Sequence, residues 1–143
     1  MMTSMTMKRM ALSAALMTAT LAYADEPTIQ EREGATKGNL GAFRSALSIH
    51  YGDFEGRYPT DPSVAMIPKY LAAMPVVDLP GTGHESSSEV LVITGVPDYA
   101  ALERRLTDSG KWLYVADPSG SADGLILIDC THLDSRGVSW SKY

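Results

Sequence analysis

The sequence predicts an α+β fold in which one long N-terminal α-helix packs on a C-terminal antiparallel β-meander. Leu40, Phe43, Leu47 and Tyr51 recur at i, i+3, i+7 and i+11, which is one stripe of a helix, with Ala46 and His50 along its edge. Past the middle of the chain, short β-branched and aromatic runs alternate with clusters of Gly, Pro, Asp and Ser, the patterning of strands and turns. At 143 residues, 45% hydrophobic and 20% charged, the chain suffices for one core of ordinary size, and nothing in it suggests two.

The first 24 residues stand apart. Lys8 and Arg9 precede an uncharged run, Met10 to Tyr23, that ends in Ala22-Tyr23-Ala24, the pattern of a secretory signal peptide. That run falls short of the ~20 apolar residues a membrane-spanning helix needs. The expected organisation is a signal peptide over 1–24 and one globular domain over 25–143. Loss of the leader leaves 10 basic against 17 acidic side chains, a net charge of −7. Such a balance argues against nucleic acid or anionic lipid, whose footprint is a basic patch. Only Met66 and Met74 of the methionines remain, so no Met-rich surface is expected. One cysteine, Cys130, is present. In an oxidising compartment it has no internal partner, so the core must hold the fold.

Pro27 suits a helix start near Thr28, and the spacing predicts a helix over about 28–53, or alternatively from Thr36. Gly52 is expected at its C-terminal end. Gly34, Gly38 and Gly41 weaken a helix by roughly 1 kcal/mol each against Ala, which points to close packing as their purpose. Val64 to Met74 reads as a short second helix that Pro68 interrupts. Val90 to Thr94 reads as a strand and Pro97 to Leu106 as a short amphipathic helix ended by Gly110. The meander then comprises strands at 111–116, 125–133 and 138–142. Leu125 to Ile128 is apolar on both faces and is expected at its centre. Gly137 closes the turn from Asp134 at a position needing positive φ.

Taken in order, Ala35 to Asp53, Gly56-Arg-Tyr-Pro-Thr60, Pro68-Lys-Tyr-Leu-Ala-Ala-Met-Pro75, Gly110-Lys-Trp-Leu-Tyr114 and Cys130-Thr-His-x-Asp134 resemble the head region of type IV pilins and the pseudopilins of type II secretion. The likeness covers roughly residues 34–143. It implies a pilin-like fold, protein partners in a secretion or pilus system, and calcium in a C-terminal loop, as in major pseudopilins. The chain departs from the family at its start. An ordinary export signal stands in place of the prepilin leader and its apolar half-helix, so membrane anchoring and filament assembly are not expected.

Cys130, His132 and Asp134 alternate, which in a strand puts three side chains on one face. With His84 or His50 as a fourth ligand this is a zinc pattern, and Cys130 with His132 is also a nucleophile pair. The preferred reading is a buried thiol beside hydrogen-bonding neighbours, because zinc sites usually show paired ligands such as Cys-x-x-Cys. Asp117, Ser119, Ser121 and Asp123 place oxygen at alternate positions, the spacing of a calcium loop. The glycine, however, falls at position 8 instead of 6, and Ile128 takes position 12 where an EF-hand has Glu. A plain Asp-Pro turn is the preferred reading there. Asp53, Glu55 and Asp61 read as a solvated acidic loop, His50 as a packing residue and His84 as an exposed one. Trp112, Tyr114 and Trp140 form either an exposed platform for a glycan or peptide, or the closure of a small core. No nucleophile elbow or phosphate loop is present.

Three functions follow, in descending order. The first is a secreted, non-catalytic pilin-like protein acting through protein contacts. The second is a small periplasmic module for an ion or glycan, and the third a Cys-His or metal-dependent hydrolase.

Overall fold

The structure, a computed structural model, describes residues 25–143, so the export leader read at 1–24 lies outside the described residues. Helix α1 runs Ile29–Asp53. Its start is set by a capping box: the Thr28 hydroxyl accepts from the Glu31 amide at 3.2 Å, and the Glu31 carboxylate accepts from the Thr28 amide at 2.7 Å. A start at Thr36 is thereby excluded. Gly52 lies inside the helix. Its expected place is taken by Glu55 (φ 54°) and Gly56 (φ 81°), where the Gly56 amide donates back to the Tyr51 carbonyl at 2.9 Å.

One face of α1 is buried along its whole length, through Glu33, Thr36, Leu40, Phe43, Ala46, Leu47 and His50. Tyr51, expected on this stripe, is 41% exposed, and His50 takes the inward position instead. His50 lies four residues beyond Ala46 and three beyond Leu47, so the buried stripe reaches it before Tyr51. The expected close packing at Gly34, Gly38 and Gly41 is not found: a Cβ at any of the three meets no atom within 4 Å.

Helix α2 is a single turn, Pro62–Ala65, capped by the Asp61 side chain. It is shorter than the helix expected over Val64 to Met74. Strand β1 (Val90–Ile93), helix α3 (Tyr99–Glu103), strand β2 (Trp112–Val115) and strand β3 (Ile126–Ile128) follow, and Trp140–Lys142 closes the chain as a 3-10 turn. The sheet order is β1-β2-β3. β1 pairs with β2 in parallel, Val90 against Trp112 and Ile93 against Val115, while β2 pairs with β3 antiparallel, Trp112 against Ile128.

The fold is therefore α+β, but the three-stranded antiparallel meander is not formed. A parallel pair needs a crossover, and the segment containing α3 supplies it, so β1 joins the sheet beside β2. The centre is β2, not the segment from Leu125. The strand expected over 138–142 is reduced to one bridge, Leu133 with Ser139, before the 3-10 turn begins.

β2 is buried on both faces. Trp112 and Tyr114, with Ile126 and Ile128, meet Leu40, Phe43 and Leu47 of α1, and the Trp112 ring stands edge-on to Phe43 at 5.7 Å. Leu113, Val115 and Leu127 face the other way, onto Val96, Leu102 and Ala122. Trp112, Tyr114 and Trp140 are fully buried, which decides for closure of the core over an exposed platform. The N-terminal half of α1 is held by polar contacts instead. Arg32 grips the Asp78 carboxylate through two donors at 2.7 and 2.6 Å, and Glu33 accepts from the Ser135 amide and hydroxyl. The Thr36 hydroxyl both donates to the Asp78 carbonyl and accepts from its amide, at 2.7 and 3.0 Å.

Candidate functional site

The chain emerges from β3 through Asp129 and Cys130 into a loop that the closing 3-10 turn lies against: the Trp140 amide donates to the His132 carbonyl and the Ser141 amide to the Cys130 carbonyl. This brings Cys130 and His132 together, Sγ to Nδ1 at 3.4 Å. Asp134 does not join them. Its carboxylate turns inward, taking the Lys37 ammonium and the Tyr143 hydroxyl and capping its own turn at the Arg136 and Val138 amides. The Lys37 ammonium, then the Tyr143 hydroxyl, hold the Asp134 carboxyl far below its ordinary range. Gly137 closes that turn with φ 78°, as expected from the sequence.

The acid beside Cys130 and His132 is Asp108, which the sequence reading passed over. Asp108 Oδ1 lies 3.5 Å from His132 Nδ1 and 3.9 Å from His84 Nε2. The His84 and His132 rings stand edge-to-face at 5.2 Å. His84, Asp108, Cys130 and His132 each place one donor atom within 4.8 Å of the other three. His84, expected to be exposed, has a side chain only 18% exposed, and its Nε2 is buried with no hydrogen-bond partner.

The group is held from behind. Asp129 is fully buried, and its carboxylate accepts five hydrogen bonds: from the Thr107, Asp108 and Ser109 amides and from the Thr107 and Ser109 hydroxyls. Burial alone raises the pKa of such a group, but the donors of Ser109 and Thr107 outweigh it and hold the carboxyl below its ordinary value. This clamp fixes the turn that carries Asp108 at φ 61°, a conformation uncommon outside glycine. Asp108 in turn accepts from the Thr131 amide at 2.7 Å, the main cause of its lowered pKa. Gly110 (φ 72°) leaves room for His84, since a Cβ there would stand 2.6 Å from the imidazole Cγ. Cys130 is fully buried, and burial pushes its thiol up to about 11.

Comparison with models of protein families, with curated proteins and with solved structures returns no match.

The loop Asp117 to Asp123 places its oxygens on internal partners. Asp117 Oδ2 accepts from the Val96 amide at 2.9 Å and Oδ1 from the Ser119 hydroxyl at 2.7 Å. Asp123 Oδ1 accepts from the Asp117 amide, and the Ser121 hydroxyl donates to the Pro97 carbonyl. The acidic residues near the end of α1 have separate tasks: Asp53 holds Lys69 and Tyr70, and Asp61 caps α2. His50 lies 6% exposed, stacked on Phe54 at 4.2 Å, on the wall of an open groove of about 650 Å³ that Tyr58, Pro59 and Val64 also line.

Asp108 escaped the sequence reading because Thr107-Asp-Ser-Gly110 looks like an ordinary helix exit. Its one local signal is an Asp two residues ahead of a glycine and a strand, where a turn of unusual backbone is needed.

Proposed function

We propose that this protein is an exported, non-catalytic pilin- or pseudopilin-like domain that acts through contacts with other proteins, as an accessory of a type II secretion or type IV pilus system. The observation that carries this reading is the 25-residue helix α1, which lays one face over a small sheet while its opposite face stays in solvent. That arrangement follows the order of segments on which the resemblance rests. The site chemistry agrees with it: Cys130 is sealed from solvent, so it offers substrates no thiolate, and the hydrolase ranks last. The place of action is the periplasm or the medium, reached by the signal peptide. Among the described residues no helix is long and apolar enough to cross a membrane. Nucleic acid is not a partner for a domain of net charge −7.

The test is made in the producing cell: crosslinking of the exported protein followed by identification of what it is joined to, with fractionation alongside. Adducts to secretion or pilus components, with the free protein in the soluble exported fraction, are expected. Recovery of the protein in the membrane fraction, or crosslinking to itself alone, would sink the proposal.

A second reading, a small ion-binding module, is favoured by one observation. Four donors of mixed type, from His84, Asp108, Cys130 and His132, converge at the surface.

A further inference from the structure

We propose that His84 Nε2, Asp108 Oδ1, Cys130 Sγ and His132 Nδ1 form a four-ligand zinc site that ties together three segments of the chain. The inference rests on the ion-binding reading and is independent of the pilin-like one. Ligand atoms about 2.0–2.3 Å from a tetrahedral zinc stand about 3.3–3.8 Å from one another. The separations here are 3.4 Å from Cys130 to His132, 3.5 Å from His132 to Asp108 and 3.9 Å from His84 to Asp108. The other three separations are no more than 4.8 Å, so closing the set onto an ion takes side-chain movements of up to about 1 Å.

The donor chemistry selects the metal. One sulfur and two imidazole nitrogens are wrong for calcium or magnesium, which take oxygen, and suit a borderline cation such as zinc. The charge closes as well: the Asp108 carboxylate and a Cys130 thiolate neutralise the dication, while both imidazoles bind as neutral rings. Binding forms the zinc–sulfur bond and releases the thiol proton to solvent. Four protein ligands leave no open position, so the site is structural, not catalytic.

Two features of the ligand residues themselves have no evident purpose without a ligand. His84 Nε2 is a buried polar atom with no partner, and such an atom costs stability unless something satisfies it. Asp108 holds an uncommon positive φ, over-determined by the five hydrogen bonds of Asp129 behind it. Strain fixed in this way marks a position where side-chain direction matters. Gly110 completes the cradle by leaving the space His84 occupies. The site opens to solvent at His132 and Asp108, whose side chains are 46% and 37% exposed, and is closed behind by the buried Cys130.

The site joins the loop before β1, the turn before β2 and the exit from β3. A domain with one cysteine has no internal disulfide available, and the ion supplies the missing cross-link.

The experiment uses the purified protein, stripped with chelator and titrated with zinc chloride, with calcium chloride as control. One zinc per chain is expected by elemental analysis. With free zinc at about 100 times Kd, mass action predicts a Tm rise of about 10 °C, and calcium gives none. Cobalt(II) should give tetrahedral visible bands and a sulfur-to-cobalt charge-transfer band. Cys130→Ser should abolish the latter. His132→Ala, at a side chain 46% exposed, should fold with about the metal-free Tm of the wild type and show no zinc-dependent rise. Unchanged Tm and no retained metal in the wild type would overturn both the zinc site and the ion-binding reading. Binding of copper(II) without zinc, lost in the same variants, would overturn the zinc assignment alone. Zinc binding that survives His132→Ala with the same stoichiometry and Tm rise would overturn the ligand set.

Discussion

Leu47 and Ile49 are two residues apart on α1, yet one is 2% and the other 58% exposed. Leu47→Ala should cost about 2–5 kcal/mol, because it removes buried methyl groups and leaves a cavity between α1 and the sheet. Ile49→Ala should change stability by less than about 0.5 kcal/mol, as surface substitutions away from special features do. Denaturant unfolding of both variants tests the buried face of α1, and equal losses would contradict it. At this scale the sequence was legible where one side chain answers to its own helix: Leu40, Phe43 and Leu47 are buried as the period requires. It was not legible at Tyr51, where the stripe runs on through His50 and the Tyr51 ring lies tilted at 39° against Tyr58, ring centres 4.5 Å apart.

Among the elements, α1 is fastened by two different means. Its C-terminal half is apolar against the sheet, and its N-terminal half is tied to Asp78 by Arg32 and Thr36. The Arg32 guanidinium is the chief cause of the lowered Asp78 pKa. A carboxyl whose pKa is depressed in the folded state stabilises fully above its unfolded value and loses that contribution as pH falls through its folded one. The advantage of wild type over Asp78→Asn should therefore be constant above about pH 4 and shrink below it. The pair is partly exposed, so the plateau should be no more than about 1 kcal/mol. Unfolding curves at stepped pH check the sign, and an advantage that grows on acidification would contradict the pairing.

The loop between β2 and β3 yields a second outcome at this scale. Asp117 and Asp123 already accept hydrogen bonds from Val96, Ser119 and the Asp117 amide, and an ion would have to displace these. Millimolar calcium should leave Tm unchanged. A rise that Asp117→Ala with Asp123→Ala abolishes would establish the calcium loop instead.

For the whole molecule, the charge and the start of the domain bear on assembly. Asp25 to Glu33 carries five charged side chains in nine residues, a segment unsuited to packing into the apolar core of a filament. Self-contact of domains at net charge −7 is opposed further at low salt. The protein from Asp25 onward should sediment as a non-polymerising species and show no fibres by electron microscopy. Association that does occur should strengthen as salt is raised. Fibres of the domain alone would contradict the accessory role.

Local chemistry was enough to place α1, the strand cores and the turn at Gly137, because helix period, capping and positive φ depend on residues within a few positions of one another. The Thr28–Glu31 capping box and the apolar run at Ile126–Ile128 are of this kind. Tertiary structure alone decided which strand lies beside which. β1 pairs with β2 across the crossover that carries α3, whose Leu102 packs under the sheet, and β2, covered by α1 on one face and α3 on the other, is the centre. It also decided the company of Cys130. The sequence spacing offered Asp134, but Lys37 on α1 drew that carboxylate inward. Asp129 meanwhile set Asp108 beside the thiol from 22 residues upstream along the chain. A strand's period states which side chains share a face, but partners drawn from other segments are chosen by packing and charge across the fold.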